Sequence, residues 1–124
     1  MTQRKVLVVD DNESNRIILS RCVRRAGFDA IVAGDAAAAL AAIADQSPDL
    51  VMLDWNMPDM HGIDLLKAIR ADHPAARLPV IMCSARTSPR DMAAAREAGA
   101  DDFITKPIDI AAVIALIEKT LAGA

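Results

Sequence analysis

Five short runs of consecutive apolar residues alternate along the chain with longer stretches in which apolar residues recur every three or four positions. The first kind reads as strand and the second as amphipathic helix. Strands are predicted at Lys5–Asp10, Asp29–Ala33, Leu50–Leu53, Val80–Cys83 and Phe103–Thr105. The first, third and fourth are apolar throughout instead of alternating, as strands buried on both faces are, so these three are expected at the centre of the sheet.

Helical patterns fill the gaps. The first opens near Asn12 or Ser14 as N-cap and closes at Gly27, with Ile18, Cys22, Val23 and Ala26 along one face. Asp35 before Ala36–Ala39 and Pro48 beyond bracket the second. The third runs near Ile63–Ala71 with Leu65, Leu66 and Ile69 inward, and the fourth from Pro89 to Ala98, ending at Gly99. The last carries Val113, Leu116, Ile117 and Leu121 on one stripe. Strand and helix alternating in this way specify one α/β domain over residues 1–124: a five-stranded parallel sheet, doubly wound, with helices on both faces. The Ala-rich helices read as high helix propensity and close packing, and no linker or repeat divides the chain.

Composition narrows the functional classes. Hydrophobic residues at 53% and charged residues at 25% suit a packed core with a soluble surface. No apolar stretch approaches the roughly 20 residues that span a bilayer, and no signal-peptide core precedes the first strand, so a cytoplasmic location without membrane contact is expected. A net charge of −3, one Trp and two Phe supply neither a basic stripe nor a stacking platform, which disfavours direct nucleic-acid binding. Cys22 and Cys83 lack metal or redox spacing and read as small core residues. Met52, Met57, Met60 and Met82 read as core filler, and His61 and His73 as loop polarity.

Polar residues gather where four of the apolar runs end: Asp10 and Asp11 after the first, Asp54 after the third, Ser84 after the fourth and Lys106 after the fifth. Parallel strands joined by right-handed crossovers point all their carboxyl ends to one edge, so these five are expected to converge on one site. Each alone reads as a cap or loop residue; the set does not. Clustered carboxylates repel one another unless a cation joins them, and an all-oxygen set without His or thiolate suits Mg²⁺. Asp11 and Asp54 are the expected direct ligands, with the Asn56 backbone carbonyl as a third oxygen and Asp10 acting through a water. A carboxylate is a competent covalent phosphoryl acceptor, and the Lys106 ammonium and Ser84 hydroxyl are suited to phosphoryl oxygens. Pro107 either marks the end of the last strand or, in its cis form, aims Lys106 back into the crevice.

In the segments Val6-Leu7-Val8-Val9-Asp10-Asp11-Asn12, Leu53-Asp54-Trp55-Asn56-Met57-Pro58-Asp59-Met60-His61-Gly62, Ser84-Ala85 and Asp102-Phe103-Ile104-Thr105-Lys106-Pro107, the chain resembles the receiver domains of two-component response regulators, the single-domain chemotaxis type in particular. The resemblance implies a flavodoxin-like strand order 2-1-3-4-5. It makes Asp54 the phosphoacceptor, Asp10 and Asp11 the acidic metal pair, Asn56 a carbonyl ligand, Ser84 the switch hydroxyl, Lys106 the phosphate-contacting base and Phe103 the aromatic switch. It further implies a histidine kinase or histidine phosphotransfer protein as phosphodonor, and a downstream protein target on the face of the fourth helix, fifth strand and fifth helix. The domain is expected to be a monomer or a weak phosphorylation-dependent dimer, and no enzyme beyond limited self-phosphorylation and self-dephosphorylation. No output domain is expected after Ala124.

Ser84 stands where Thr is commoner and Phe103 where Tyr is commoner, so a signal needing a phenolic hydroxyl is not available. Arg86, two residues after Ser84, is a candidate for controlling water access at the mouth of the site, against a plain reading as surface arginine. Two rival functions differ in class. An aspartate-nucleophile phosphohydrolase needs a second aspartate two residues after the nucleophile, where Asn56 stands. A non-phosphorylated interaction scaffold has no need of the acidic set.

Overall fold

The computed structural model describes residues 4–55, 57–74, 77–85 and 88–122. Its five strands are β1 (Lys5–Val9), β2 (Asp29–Ala33), β3 (Leu50–Asp54), β4 (Val80–Ser84) and β5 (Asp102–Thr105). Helices α1 (Glu13–Arg25), α2 (Ala36–Gln46), α3 (Gly62–Asp72), α4 (Pro89–Ala98) and α5 (Ile110–Ala122) alternate with them. All four strand pairings are parallel, in the order β2-β1-β3-β4-β5. The three apolar runs therefore lie in the middle, and β3 and β4 are buried at every position.

Alternation along the central strands divides the core in two. Leu7, Val9, Val51, Leu53, Val80 and Met82 face Ala36, Ala39 and Ile43 of α2, Leu65, Leu66 and Ile69 of α3, and Ala95 of α4. Val6, Val8, Leu50, Met52, Ile81 and Cys83 face Leu19, Cys22 and Val23 of α1 and Val113, Ile117 and Leu121 of α5. Cys22, Cys83, Met52 and Met82 are thus packing residues, as their spacing implied.

The boundaries follow from local chemistry. Asn12 caps α1 by accepting from the Asn15 N–H at 3.0 Å, Asp35 caps α2 through Ala38 at 2.7 Å, and Ser88 caps α4 through Asp91 at 3.1 Å. β1 stops one residue short of its predicted end, although the Asp10 N–H still reaches the Ala33 carbonyl at 3.1 Å. The buried stripe of α1 centres on Leu19, Cys22 and Val23, with Ile18 and Ala26 at its border, because this helix packs on the sheet and on α5 together. Leu116 likewise lies at the edge of the α5 stripe, half-buried.

At the edge of the sheet where the strands begin, Arg70 of α3 gathers three segments. Its Nε donates to the Gly99 carbonyl at 2.9 Å, its Nη1 to the His73 carbonyl at 3.1 Å and to the Leu78 carbonyl, and its Nη2 to Asp101 at 2.7 Å. Asp101 also accepts the Val80 N–H at 2.8 Å, which joins the hub to the start of β4. Gly99 has φ of +114°, and a Cβ there would stand 2.8 Å from the Arg70 side chain, so only glycine fits. Arg70→Met removes every one of these donors and keeps the stem. It is expected to lower stability by about 2 kcal/mol or more, read from urea denaturation, because shielded carbonyls lose their partners.

Candidate functional site

β1 and β3 are neighbours, yet the chain leaves β1 toward β2 on one side and continues from β3 toward β4 on the other. The crevice between their carboxyl ends is the switch point of the sheet. Asp10, fully buried, follows β1 there, and Asp54 is the last residue of β3. The exposed Asp11 completes the group: one carboxylate oxygen from each of Asp10, Asp11 and Asp54 lies within 4.8 Å of the other two.

Lys106, directly after β5, reaches across β4 into this group. Its Nζ donates to Asp54 Oδ1 at 2.9 Å and to Asp10 Oδ2 at 3.2 Å. Its backbone N–H donates to the Ser84 carbonyl at 3.0 Å, and the Lys106–Pro107 bond is cis. The second Asp10 oxygen accepts the Asn12 N–H at 2.9 Å, and the Asp10 carbonyl accepts from Arg16 Nη1 at 2.8 Å. Ser84 ends β4, one strand from Asp54, and is buried. The side chains of Asp10, Asp11, Asp54 and Lys106 meet at this edge, and Ser84 adjoins them at the end of β4 through its backbone carbonyl. Asn56 and Arg86 lie outside the described residues.

The electrostatics follow from this packing. Burial pushes the Asp54 carboxyl above its ordinary range, Asp10 and Asp11 add to the push, and the Lys106 hydrogen bond opposes it. Burial also works against the Lys106 ammonium, but the hydrogen bond and charge of Asp54, with those of Asp10, outweigh it and raise the lysine pKa. Among the described residues, the Lys106 ammonium is paired with two of three clustered carboxylates and the Arg16 guanidinium reaches the Asp10 carbonyl instead, which leaves negative charge among hard oxygen donors, and such a donor set fits a small divalent cation.

Phe103 on β5 is half-buried beside a narrow crevice that Trp55, Met82, Ser84 and Met92 also line. The Arg96 guanidinium carbon of α4 lies 5.0 Å from its ring centroid. Three residues absent from the sequence-derived set also bear on the site. Asp59 acts through a long-range hydrogen bond that leaves no local signature, and Arg16 through a bond from α1 back to the Asp10 carbonyl six residues earlier, a spacing that no capping or periodicity rule marks. Gly62 does have a local signal, as the glycine that opens α3 after a Pro-containing turn. Its N–H donates to the Trp55 carbonyl at 2.6 Å, and a Cβ would stand 2.5 Å from the Asp54 carbonyl oxygen and 2.6 Å from that of Trp55.

Fold and pocket together define a doubly wound α/β domain of the flavodoxin-like, CheY type, with an acidic pocket at the switch point. The model of the response regulator receiver domain matches residues 6–118, and the chain belongs to that family, the receiver domains of two-component signalling. It is similar to the chemotaxis response regulator CheY4 of Vibrio cholerae, with a TM-score of 0.89 and 31% identity over 97% of this chain and 100% of that one. It is also similar to the receiver domain of NtrX from Brucella abortus, with a TM-score of 0.87 and 36% identity over 96% and 99% of the two chains. Among curated relatives, the DNA-binding response regulator MtrA of Mycobacterium tuberculosis strain H37Rv is 39% identical over 119 residues, which cover 96% of this chain and 51% of MtrA. The transcriptional regulatory protein PrrA of Mycobacterium bovis is 39% identical over 122 residues, covering 98% and 51%. The chain thus spans about half the length of these two relatives. Among the described residues, no helix is long and apolar enough to cross a membrane.

Gly62→Ala is expected to push α3 away from the backbone of Asp54 and Trp55. Crowding of this kind typically costs about 1–3 kcal/mol. Urea denaturation followed by Trp55 emission should show both the lower stability and an altered native spectrum, since Trp55 is the only tryptophan.

Proposed function

We propose that residues 1–124 form one receiver domain that works as a phosphorylation-driven switch, with Asp54 accepting a phosphoryl group from a phosphohistidine on a histidine kinase or histidine phosphotransfer protein. The observation that carries this reading is the Lys106 ammonium bound to Asp54 and Asp10 at the strand ends, with Asp11 beside them. A carboxylate oxygen of Asp54 attacks phosphorus. The P–N bond to the imidazole breaks, and the ring nitrogen leaves with the electron pair and takes up a proton. Lys106 holds one Asp54 oxygen and presents positive charge to the incoming group, and the Ser84 hydroxyl donates to a phosphoryl oxygen.

Asp11 and Asp54 would hold Mg²⁺ directly and Asp10 through a water, with the Asn56 carbonyl as a further ligand. The ion, when bound, supplies charge neutralisation and orientation for the phosphoryl oxygens. The same pocket supports slow self-phosphorylation from small phosphodonors and slow self-dephosphorylation. The modified domain signals from a cytoplasmic location through its α4–β5–α5 face to a downstream protein, as a monomer or a weak phosphorylation-dependent dimer.

Incubation with acetyl phosphate and Mg²⁺ is expected to add one base-labile phosphoryl group, seen by intact-mass analysis. The adduct should vanish in Asp54→Asn and on chelation, and form at least tenfold more slowly in Lys106→Met. An adduct that persists in Asp54→Asn sinks the assignment.

Ser84 and Phe103 carry the signal outward on this reading: the hydroxyl moves toward the phosphoryl group, and the Phe103 ring turns into the crevice they share. Beryllofluoride with Mg²⁺ should shift backbone NMR signals over Ala93–Ala98 and Phe103–Val113. Ser84→Ala should still be phosphorylated but show much smaller shifts there; full wild-type shifts would rule out the coupling.

A further inference from the structure

We infer that Asp59 is a positioning residue for the phosphoacceptor pocket, holding the 55–62 loop that leaves Asp54 in register with the strand end that carries Asp10 and Asp11. This rests on the reading of Asp54 as phosphoacceptor, and names a residue through which the two halves of the pocket are tied. The exposed Asp59 carboxylate accepts the Ala36 N–H at 2.9 Å through Oδ1 and the Ala37 N–H at 3.2 Å through Oδ2. These are the first two amides of α2, donors that a helix cannot satisfy internally. The third, from Ala38, goes to Asp35, so helix and loop share the work of capping.

The two ends of this tie lead directly to the pocket. On the loop side, Asp59 lies between Trp55 and Gly62, and the Gly62 N–H donates to the Trp55 carbonyl at 2.6 Å, next to Asp54. On the helix side, α2 begins three residues after Ala33, whose carbonyl accepts the Asp10 N–H at 3.1 Å. The carboxylate therefore spans the gap between the β3 side and the β1–β2 side, where a cation has to be gripped from both. The Ala36 and Ala37 amides also lower the Asp59 pKa, as donors to a charged carboxylate do.

A residue that merely capped α2 would affect stability alone. Asp35→Ala serves as that control, since it removes the Ala38 cap of the same helix and leaves the loop contact in place. Mg²⁺ titration followed by Trp55 fluorescence, and labelling by acetyl phosphate, should be run on wild type, Asp59→Ala, Asp59→Asn and Asp35→Ala. Asp59→Ala is expected to weaken Mg²⁺ binding about tenfold and to slow labelling. Asp59→Asn, which keeps one acceptor, should fall between it and wild type, and Asp35→Ala should melt lower with a wild-type Mg²⁺ midpoint. Two results overturn the inference alone: a wild-type midpoint and rate in Asp59→Ala, or an equal loss in Asp35→Ala. A wild-type protein that neither responds to Mg²⁺ nor takes up phosphoryl overturns the phosphoacceptor reading, and this inference with it.

Discussion

Three carboxylates are held at one sheet edge against their mutual repulsion, and among the described residues the ammonium of Lys106, paired with two of them, is the cation that offsets it. Taking a charge out of water costs several kcal/mol per ion even after relaxation, and a close partner offsets that only with good geometry. Lys106 meets the requirement by bridging the two buried carboxylates and leaving the exposed Asp11 to water. The pocket is therefore short of positive charge. That shortage is a liability for folding and the source of any affinity for a cation, so both properties stem from one interaction.

Such a pocket needs a platform that does not yield. The central strands supply it, because apolar side chains on both faces fix each strand between two helical layers, and close-packed interiors transmit strain instead of absorbing it. What the platform does not fix is the set of connections beyond the strand ends. These are held by discrete polar contacts: Arg16 on the Asp10 carbonyl, Gly62 on the Trp55 carbonyl and Asp59 on the start of α2. The opposite edge has its own such device in Arg70, which joins α3, the segment before β4 and the turn into β5. Rigid core and pinned connections thus divide the task, the first setting where strands end and the second setting how the loops leave them.

This division explains what the sequence revealed. The β1, β3 and β4 runs were legible because burial on both faces leaves their interior positions apolar, and the cap residues Asn12 and Asp35 because a cap acts within three residues of itself. The acidic set was legible because parallel topology sends all strand ends to one edge, so separation in sequence did not hide proximity. Asp59 and Arg70 were not legible: their partners lie 23 residues away in one case and up to 31 in the other, and no periodicity links them. The stripe of α1 was misjudged by one position, with Leu19 displacing Ile18 from its centre, because spacing alone does not report that the helix also packs against α5.

Phe103 shows how the absence of one atom shifts the balance of the proposed switch. A tyrosine at this position would carry a hydroxyl able to find a partner in either ring orientation, whereas the phenyl ring is governed by apolar burial and by the Arg96 guanidinium above it. A cation–π contact at a half-exposed site is worth about 0.5–1 kcal/mol. Moving a two-state equilibrium from one part in a hundred to ninety-nine takes about 5.5 kcal/mol. Arg96 therefore biases the resting orientation without fixing it, and the larger share of the change has to come from the pocket, where a phosphoryl group on Asp54 would alter both the charge facing Lys106 and the demand on the Ser84 hydroxyl. The crevice that Ser84 and Phe103 both line is where those two demands meet.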